Sequence, residues 1–160
     1  EQTLINKGYD NYLDNYVVTD NLQSITVLDV TNSEIIDLTG IEDFSNLKDL
    51  YCSNNMLFDL DLSQNDKLED LSCANNQLTN LDLSNNRYLR FLNCSNNNLN
   101  SLDIKPIGGN TNYLMTGFST IDNPNLYCIQ VNHVFEYTFH FSDQIDSQSY
   151  FAYDCSVKYN

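Results

Sequence analysis

The sequence predicts a solenoid of short stacked coils, mainly β in structure, with a parallel sheet on one face. The first observation is the spacing of the cysteines at 52, 73 and 94, which is 21 residues in both intervals. The second is that leucine and asparagine keep the same interval, in the blocks LKDLYCSNNMLFDLDL, LEDLSCANNQLTNLDL and LRFLNCSNNNLNSLDI. The third is composition. With 160 residues, 41% of them apolar and 18% charged, the chain is expected to form one folded domain rather than a disordered segment.

Each repeat begins with a segment that alternates inward and outward residues, as a β-strand does. In the first block, Leu50 and Cys52 are predicted to face the interior and Tyr51 the solvent. One coil of this size cannot bury its apolar face alone, so neighbouring coils must stack with their strands about 4.8 Å apart. A second short extended piece, DLDL at 59–62 and its repeats, turns the coil back and leaves little room for a long helix.

The repeated asparagines Asn55, Asn76 and Asn97 follow these strands, where the chain must turn. A buried backbone group without a partner costs about 1–3 kcal/mol. We therefore expect these amide side chains to hydrogen-bond backbone groups of adjacent coils.

Two flanking blocks fit the frame more loosely, so the sequence predicts about five coils of 21–22 residues. Between the third and the last block, the segment at 105–117 is longer than its counterparts and carries Pro106, Gly108 and Gly109, which predicts a surface loop. We expect a single domain over residues 1–160, with an N-terminal cap at 1–24, repeats at 25–131 and a C-terminal cap at 132–160.

The pattern L-x-x-L-x-C-x-x-N-x-L-x-x-L-D-[LI] resembles the leucine-rich repeat, specifically its short cysteine- and asparagine-containing form in secreted and surface proteins of flavobacteria and their relatives. The opening EQTLINKGYDNYLDNYVVT is similar to that group's N-terminal cap, which implies a short helical cap. NPNLYCIQV and the later Asp154-Cys155 pair are similar to its C-terminal cap. The resemblance implies a disulfide between Cys128 and Cys155, worth about 2–4 kcal/mol, and an oxidising compartment.

The cysteines of the repeat are interpreted as small buried apolar side chains. A zinc site is not expected, because a column of stacked thiols offers neither a histidine nor the C-x-x-C spacing. The alternative to three buried free thiols is a disulfide between neighbouring coils. Asp61, Asp82 and Asp103 also fall one coil apart, as solvated positions or as a weak calcium site. An EF-hand is excluded because Gln64 occupies the required glycine position. No metal or cofactor is predicted.

Catalysis, nucleic-acid binding and membrane insertion are not expected. The two histidines, His133 and His140, are both in the cap, where His140 is part of an alternating stretch typical of a half-buried strand. The sequence has no nucleophile elbow and no glycine-rich phosphate loop. A formal net charge of −15 repels phosphate backbones and anionic lipid, and no apolar run reaches the 18 residues of a spanning helix.

The candidate site is the outward face of the sheet, because inward positions repeat from coil to coil whereas outward positions vary. Two large aromatic side chains, Tyr51 and Phe91, lie on this face beside carboxylates, and such an arrangement suits a protein contact or a platform for sugar rings. The alternative is that both rings only pack against sheet neighbours. The sequence thus predicts a non-catalytic, secreted or cell-surface module that binds a protein partner. A carbohydrate-binding module, with an extracellular glycan as ligand, and a spacer without a ligand are the alternatives. The candidate binding residues are Asp49, Tyr51, Asp70, Ser72, Phe91 and Asn93.

Overall fold

Two parallel sheets run along the chain in a computed structural model that describes residues 2–6, 8, 22–105, 107, 115–132 and 140–156. Within these ranges the chain forms a short helix α1 (Gln2–Asn6), a 3-10 turn η1 (Ile41–Asp43) and eight strands. The strands are β1 (Val27–Asp29), β2 (Asp49–Tyr51), β3 (Asp70–Ser72), β4 (Phe91–Asn93), β5 (Leu102–Asp103), β6 (Gly117–Ser119), β7 (Cys128–Gln130) and β8 (Tyr150–Ala152). No helix in the described ranges has the length and apolarity to cross a bilayer.

The main sheet contains five parallel strands in the order β1-β2-β3-β4-β6, so each coil adds one strand beside the last. The central residue of every strand is buried and pairs with its equivalent one coil away, as Leu50 does with Leu71. A smaller parallel sheet, β5-β7-β8, forms on the returning side of the last coils. The predicted solenoid of about five coils is confirmed. Residues 102–103, the equivalent of 60–61 two coils later, pair as strand β5 in this sheet, whereas the segment at 59–62 does not form a strand.

The core is a continuous stack of leucine columns with one column of thiols. Cys52, Cys73 and Cys94 are free, fully buried and one coil apart, which confirms their interpretation as small buried side chains. Burial raises the pKa of the Cys52 and Cys94 thiols to about 12, and the pKa of the Cys73 thiol is raised well above its usual value. The same column continues as Val30 in the first coil and Thr120 in the last.

A buried asparagine in each coil after the first joins that coil to the one before it. The Nδ2 of Asn76 donates to the carbonyl oxygens of Cys73 and Cys52, both at 3.0 Å, and its Oδ1 accepts the Leu57 N–H at 3.0 Å. The predicted ladder is confirmed, because one side chain satisfies three buried backbone groups of two coils. Equivalent sets of bonds are made by Asn55, Asn97 and Asn123.

The residue before each ladder asparagine has a left-handed backbone. Asn54, Asn75 and Asn96 have φ of 57°, 56° and 52°. Asparagine tolerates this conformation better than most residues with a side chain because its short amide bonds locally. The repeated Asn-Asn pair is therefore a turn residue followed by a ladder residue.

A second asparagine ladder, not predicted from the sequence, lies on the returning side. Asn86 donates through Nδ2 to the carbonyls of Leu62 at 3.2 Å and Asn65 at 2.9 Å. Asn65 donates likewise to the carbonyls of Ile41 and Phe44, one coil earlier. Both side chains are buried. Their separation of 21 residues was the available signal.

The C-terminal cap closes the last coil through a disulfide and an aromatic cluster. The bond between Cys128 and Cys155 is present, as the resemblance implied. The Phe118 ring lies 5.6 Å from that of Phe141 and 5.9 Å from that of Phe151.

The strand expected at His140 is wrong, because His140 and Phe141 are helical. A helical turn lets the Phe141 ring reach Phe118 at the end of the core. In this turn the backbone carbonyl of Phe141 accepts the Gln144 N–H. His133 lies outside the described residues, as do most of the loop at 105–117 and most of segment 1–24, where α1 is helical as expected. The proposed cap boundaries therefore stay predictions.

We expect Asn76→Ala to lower the free energy of unfolding by about 1–3 kcal/mol, since the buried Leu57 N–H loses its partner. The Cys52 and Cys73 carbonyls each lose one of two amide donors and keep the other, from Asn55 and Asn97. Urea denaturation followed by circular dichroism measures this. Asn80→Ala, which changes an exposed asparagine of the same coil, is the matched control and should shift stability by no more than about 0.5 kcal/mol. Equal effects of the two substitutions would contradict the ladder's role.

We also expect the native protein to show no thiol reactive with Ellman's reagent at pH 8, because the three free thiols are buried and protonated. Denaturant alone should expose three thiols, and denaturant with reductant should expose all five cysteines. A fast-reacting thiol in the native state would show that the column is open to solvent.

Candidate functional site

All six candidate residues lie on three neighbouring strands of the main sheet. Asp49, Asp70 and Phe91 are in register across β2, β3 and β4. Two residues further along the same strands, Tyr51, Ser72 and Asn93 are also in register. Their side chains are half-buried, since each packs between neighbours on the sheet while one side faces solvent. The structure thus brings the candidates together as two parallel rows.

The β1–β3 end of this face is acidic. Asp49 and Asp70 stand directly opposite one another on adjacent strands, where like charges destabilise a sheet. Partial burial, followed by the Asp70 and Glu69 carboxylates, raises the pKa of Asp49. Burial and the carboxylates of Asp49, Asp70 and Asp29 raise the pKa of Tyr51. We call this group, Asp29, Asp49, Tyr51 and Asp70, the acidic end.

Basic residues beside the acidic end are engaged mainly by a different carboxylate. Glu69 binds Lys48 at 2.8 Å and Arg90 at 2.9 Å, whereas Arg90 is 3.8 Å from Asp70. The hydrogen bond from Lys48 lowers the pKa of Glu69. Exposed ion pairs of this kind stabilise little, but they fix where the two cations lie. The repulsion between Asp49 and Asp70 is only partly offset.

Hydroxyl and amide side chains of the face are held in place by neighbours. The Ser72 hydroxyl pairs with that of Ser53 at 2.9 Å, and the Ser53 hydroxyl also accepts the Ala74 N–H at 3.1 Å. The Oδ1 of Asn93 accepts the Ser95 N–H at 3.1 Å. The polar rows are therefore ordered before any ligand arrives.

The Phe91 ring packs over a glycine of the next strand. Phe91 and Gly117 are in register, and a Cβ built on residue 117 would lie 2.5 Å from Cδ2 and 2.8 Å from Cε2 of the ring. The glycine makes room for the phenyl ring, which covers the backbone of β6. The Phe91 ring therefore packs against its sheet neighbour, whether or not it also contacts a ligand.

A cleft of about 710 Å³ opens where the C-terminal cap stands beside β4 and β6. Phe91 and Asn93 line it from the sheet, and His140, Asp143 and Gln144 line it from the cap. The cap residues were not predicted as site residues. No repeat relates the cap to the coils, so their positions carry no periodic signal.

The acidic column on the returning side has a structural role. The Oδ1 atoms of Asp61, Asp82 and Asp103 each accept the backbone N–H two residues later, at 2.9 Å in all three cases. Such bonds stabilise the turn at the end of each coil. They lower the pKa of Asp61. Among the described residues, no three His, Cys, Asp or Glu side chains are grouped so as to hold a metal ion.

Comparison with solved structures decides the fold. The functional domain of internalin J from Listeria monocytogenes, described as including a cysteine ladder, superimposes with a TM-score of 0.61 at 34% identity, covering 72% of this chain and 27% of that one. Internalin C2 of the same species superimposes with a TM-score of 0.56 at 28% identity, covering 82% of this chain and 51% of that one. The fold is a leucine-rich-repeat solenoid. Internalin F superimposes with a TM-score of 0.56 at 22% identity, and this similarity supports the fold alone.

At the level of sequence the similarity is shorter. The curated internalin J of Listeria monocytogenes is 48% identical over 46 residues, which is 29% of this chain and 5% of that protein. No family model matches the chain. The chain thus spans a small part of this relative and about a quarter of the solved internalin J domain.

We expect Asp49→Asn to stabilise the protein at neutral pH by roughly 0.2–1 kcal/mol, the size of a cross-strand pair effect. The pKa of Asp49 is raised on folding, so the native state holds its proton more tightly and ionisation destabilises the fold above that pKa. The gain should therefore be full at pH 7 and vanish as the pH falls below 3.8, the ordinary pKa of an aspartate in an unfolded chain.

Thermal unfolding of wild type and variant between pH 3 and pH 7 measures this gain. Asp66→Asn, the same substitution at an exposed residue on the returning side, is the control. Equal gains for both variants would assign the effect to net charge rather than to the Asp49–Asp70 pair.

Proposed function

We propose that the chain is a non-catalytic recognition module, secreted or displayed on a cell surface, that binds a protein partner through the outward face of its main sheet. The binding residues in this proposal are Asp49, Tyr51, Asp70, Ser72, Phe91 and Asn93. Similarity to internalin domains favours recognition over catalysis. The disulfide between Cys128 and Cys155, and the resemblance of the repeats to those of flavobacterial surface proteins, support a location outside the cytoplasm.

The acidic end is the observation on which the proposal rests. Asp49 and Asp70 face each other at a cost in stability, and Tyr51 lies between them and Asp29. A lysine or arginine of a partner would relieve this repulsion and could stack on the tyrosine ring. The net charge of −15 would also steer a basic surface towards the domain. We therefore propose a partner with a basic patch.

The size of the face fits a modest interface. Five strands about 4.8 Å apart extend over roughly 20 Å, which is narrower than the patch of a standard protein complex. An aromatic anchor ringed by polar groups is the usual composition of a hot spot. Binding is thus expected to depend on a few residues at the acidic end.

Affinity capture with the immobilised domain tests the proposal. Extracellular proteins from the native setting would be applied to wild type, Tyr51→Ala and Asp49→Asn, and the affinity of the retained protein measured by titration. Each substitution should weaken binding about tenfold or more, the effect of losing a hot-spot contact. Binding should also weaken as salt is raised.

Asp66→Asn is the matched control, because it removes the same charge from the returning side of the domain. Circular dichroism verifies that each variant is folded. Retention of the partner by all variants would overturn the assignment of this face. Retention of no protein from an adequate sample would favour a spacer.

A further inference from the structure

We propose that the cleft between the sheet and the C-terminal cap binds a neutral, hexose-sized unit of a glycan. We call it the cap cleft. It is formed where residues 140–144 stand beside β4 and β6, and its volume of about 710 Å³ is within the range of small-molecule sites. The cap cleft shares Phe91 and Asn93 with the proposed binding face, but the proposed protein contact rests on the acidic end, which does not line the cleft.

The cap wall of the cleft is fixed in place by bonds to the last coil. The Gln144 carbonyl accepts the Thr120 N–H at 2.9 Å. The Asp146 carboxylate accepts the N–H groups of Asp122 and Asn123 at 2.8 and 2.7 Å. The Phe141 ring is anchored on Phe118 below the wall. The wall is therefore built before a ligand binds, which lowers the entropy cost of binding.

The polar groups of the cap cleft match a polyol. Amides line it at Asn93, Asn96 and Gln144, and hydroxyls at Ser95 and Ser119. Amides and hydroxyls present both donors and acceptors, as the hydroxyl groups of a sugar do. None of the described lining residues is Lys or Arg, and Asp122 and Asp143 line the cleft, so an anionic group would meet two carboxylates with His140 as its one titratable base. This composition favours a neutral sugar over a phosphate, a sulfate or a sialic acid.

Asn93 is placed to be a central donor. Its Oδ1 is used by the Ser95 N–H, and within the described part of the chain its Nδ2 has no protein partner. Beside it on the sheet side of the cleft, the Ser95 and Ser119 hydroxyls bond each other at 2.7 Å, so one of them still offers its hydrogen. A pair of donors on adjacent strands can hold two neighbouring hydroxyl groups of one sugar ring.

Apolar contact is supplied by Phe91 and Ile121. The Phe91 ring is kept in its place over Gly117, whose lack of a Cβ leaves the space that the ring fills. Ile121 is exposed at the cleft margin. A sugar ring carries C–H groups on one face, and burying them against an aromatic side chain is favourable.

The cap cleft and the acidic end are separate enough to be tested apart. Asn93 on β4 and Tyr51 on β2 are two strands from each other, about 10 Å. Asp49 is not among the residues that line the cleft. A substitution at one end should therefore leave binding at the other nearly unchanged.

The test applies the fluorescently labelled domain to an array of neutral oligosaccharides, with sulfated and sialylated oligosaccharides and an oligo-arginine peptide on the same surface. We expect a neutral oligosaccharide to be retained. Its affinity should fall about tenfold in Asn93→Asp, which keeps the acceptor and the shape but removes the amide donor, and about fivefold in Ser119→Ala. Asp49→Asn should bind it as wild type does.

The outcomes are distinct. Retention of no neutral oligosaccharide overturns the proposal, as does retention of the charged probes alone. A neutral oligosaccharide that both cleft variants bind as well as wild type, with the fold intact by circular dichroism, assigns the contact elsewhere and also overturns it. Equal loss in Asp49→Asn and in the cleft variants would place the ligand on the whole sheet face and overturn the assignment to the cap cleft. Failure here leaves the protein contact, read from Tyr51→Ala and Asp49→Asn, unaffected.

Discussion

Burial of the strand ends is the constraint on which the rest of the structure depends. A strand of three residues is too short to satisfy the backbone groups where the chain leaves it, and in a stack of coils water does not reach them. Asn55, Asn76, Asn97 and Asn123 supply the missing partners from within the chain. At about 1–3 kcal/mol for each unpaired group, no coil could lose its ladder residue without a large cost. The residue before each ladder asparagine has a left-handed backbone, and this turn directs the asparagine side chain into the core.

The ladder also determines what the outward face can be. Since each coil is locked to its neighbour one repeat away, side chains at equivalent positions must stand beside each other whatever their chemistry. Asp49 therefore faces Asp70 although the charges repel, and Phe91 faces Gly117, where the pairing is favourable. The backbone determines the geometry of the face, and the sequence chooses only which groups are displayed.

The parts of the fold that repeat could be predicted from the sequence, and the parts that do not repeat could not. The period of 21 residues placed Leu50, Cys52 and Asn55 correctly, because the same pattern of leucine, cysteine and asparagine recurs in three blocks. The helical turn at His140 was missed, since an alternating pattern over a few residues carries little information when packing against Phe118 decides the conformation. The cap cleft was missed for the same reason. Asn65 and Asn86 were missed although their interval was visible, because only the cysteine-centred half of each repeat was interpreted.

Stability and recognition are nearly independent in such a domain. The leucine columns and the asparagine ladders lie inside the solenoid, whereas the candidate binding residues lie on the far side of the strands from the core. A change on the face costs tenths of a kcal/mol in folding but can change affinity tenfold. Asp49 is the exception, because its carboxylate stands directly opposite that of Asp70 on the neighbouring strand, where like charges are unfavourable. The strand register holds the two carboxylates together, and the proposed basic partner would relieve their repulsion without any change in the fold.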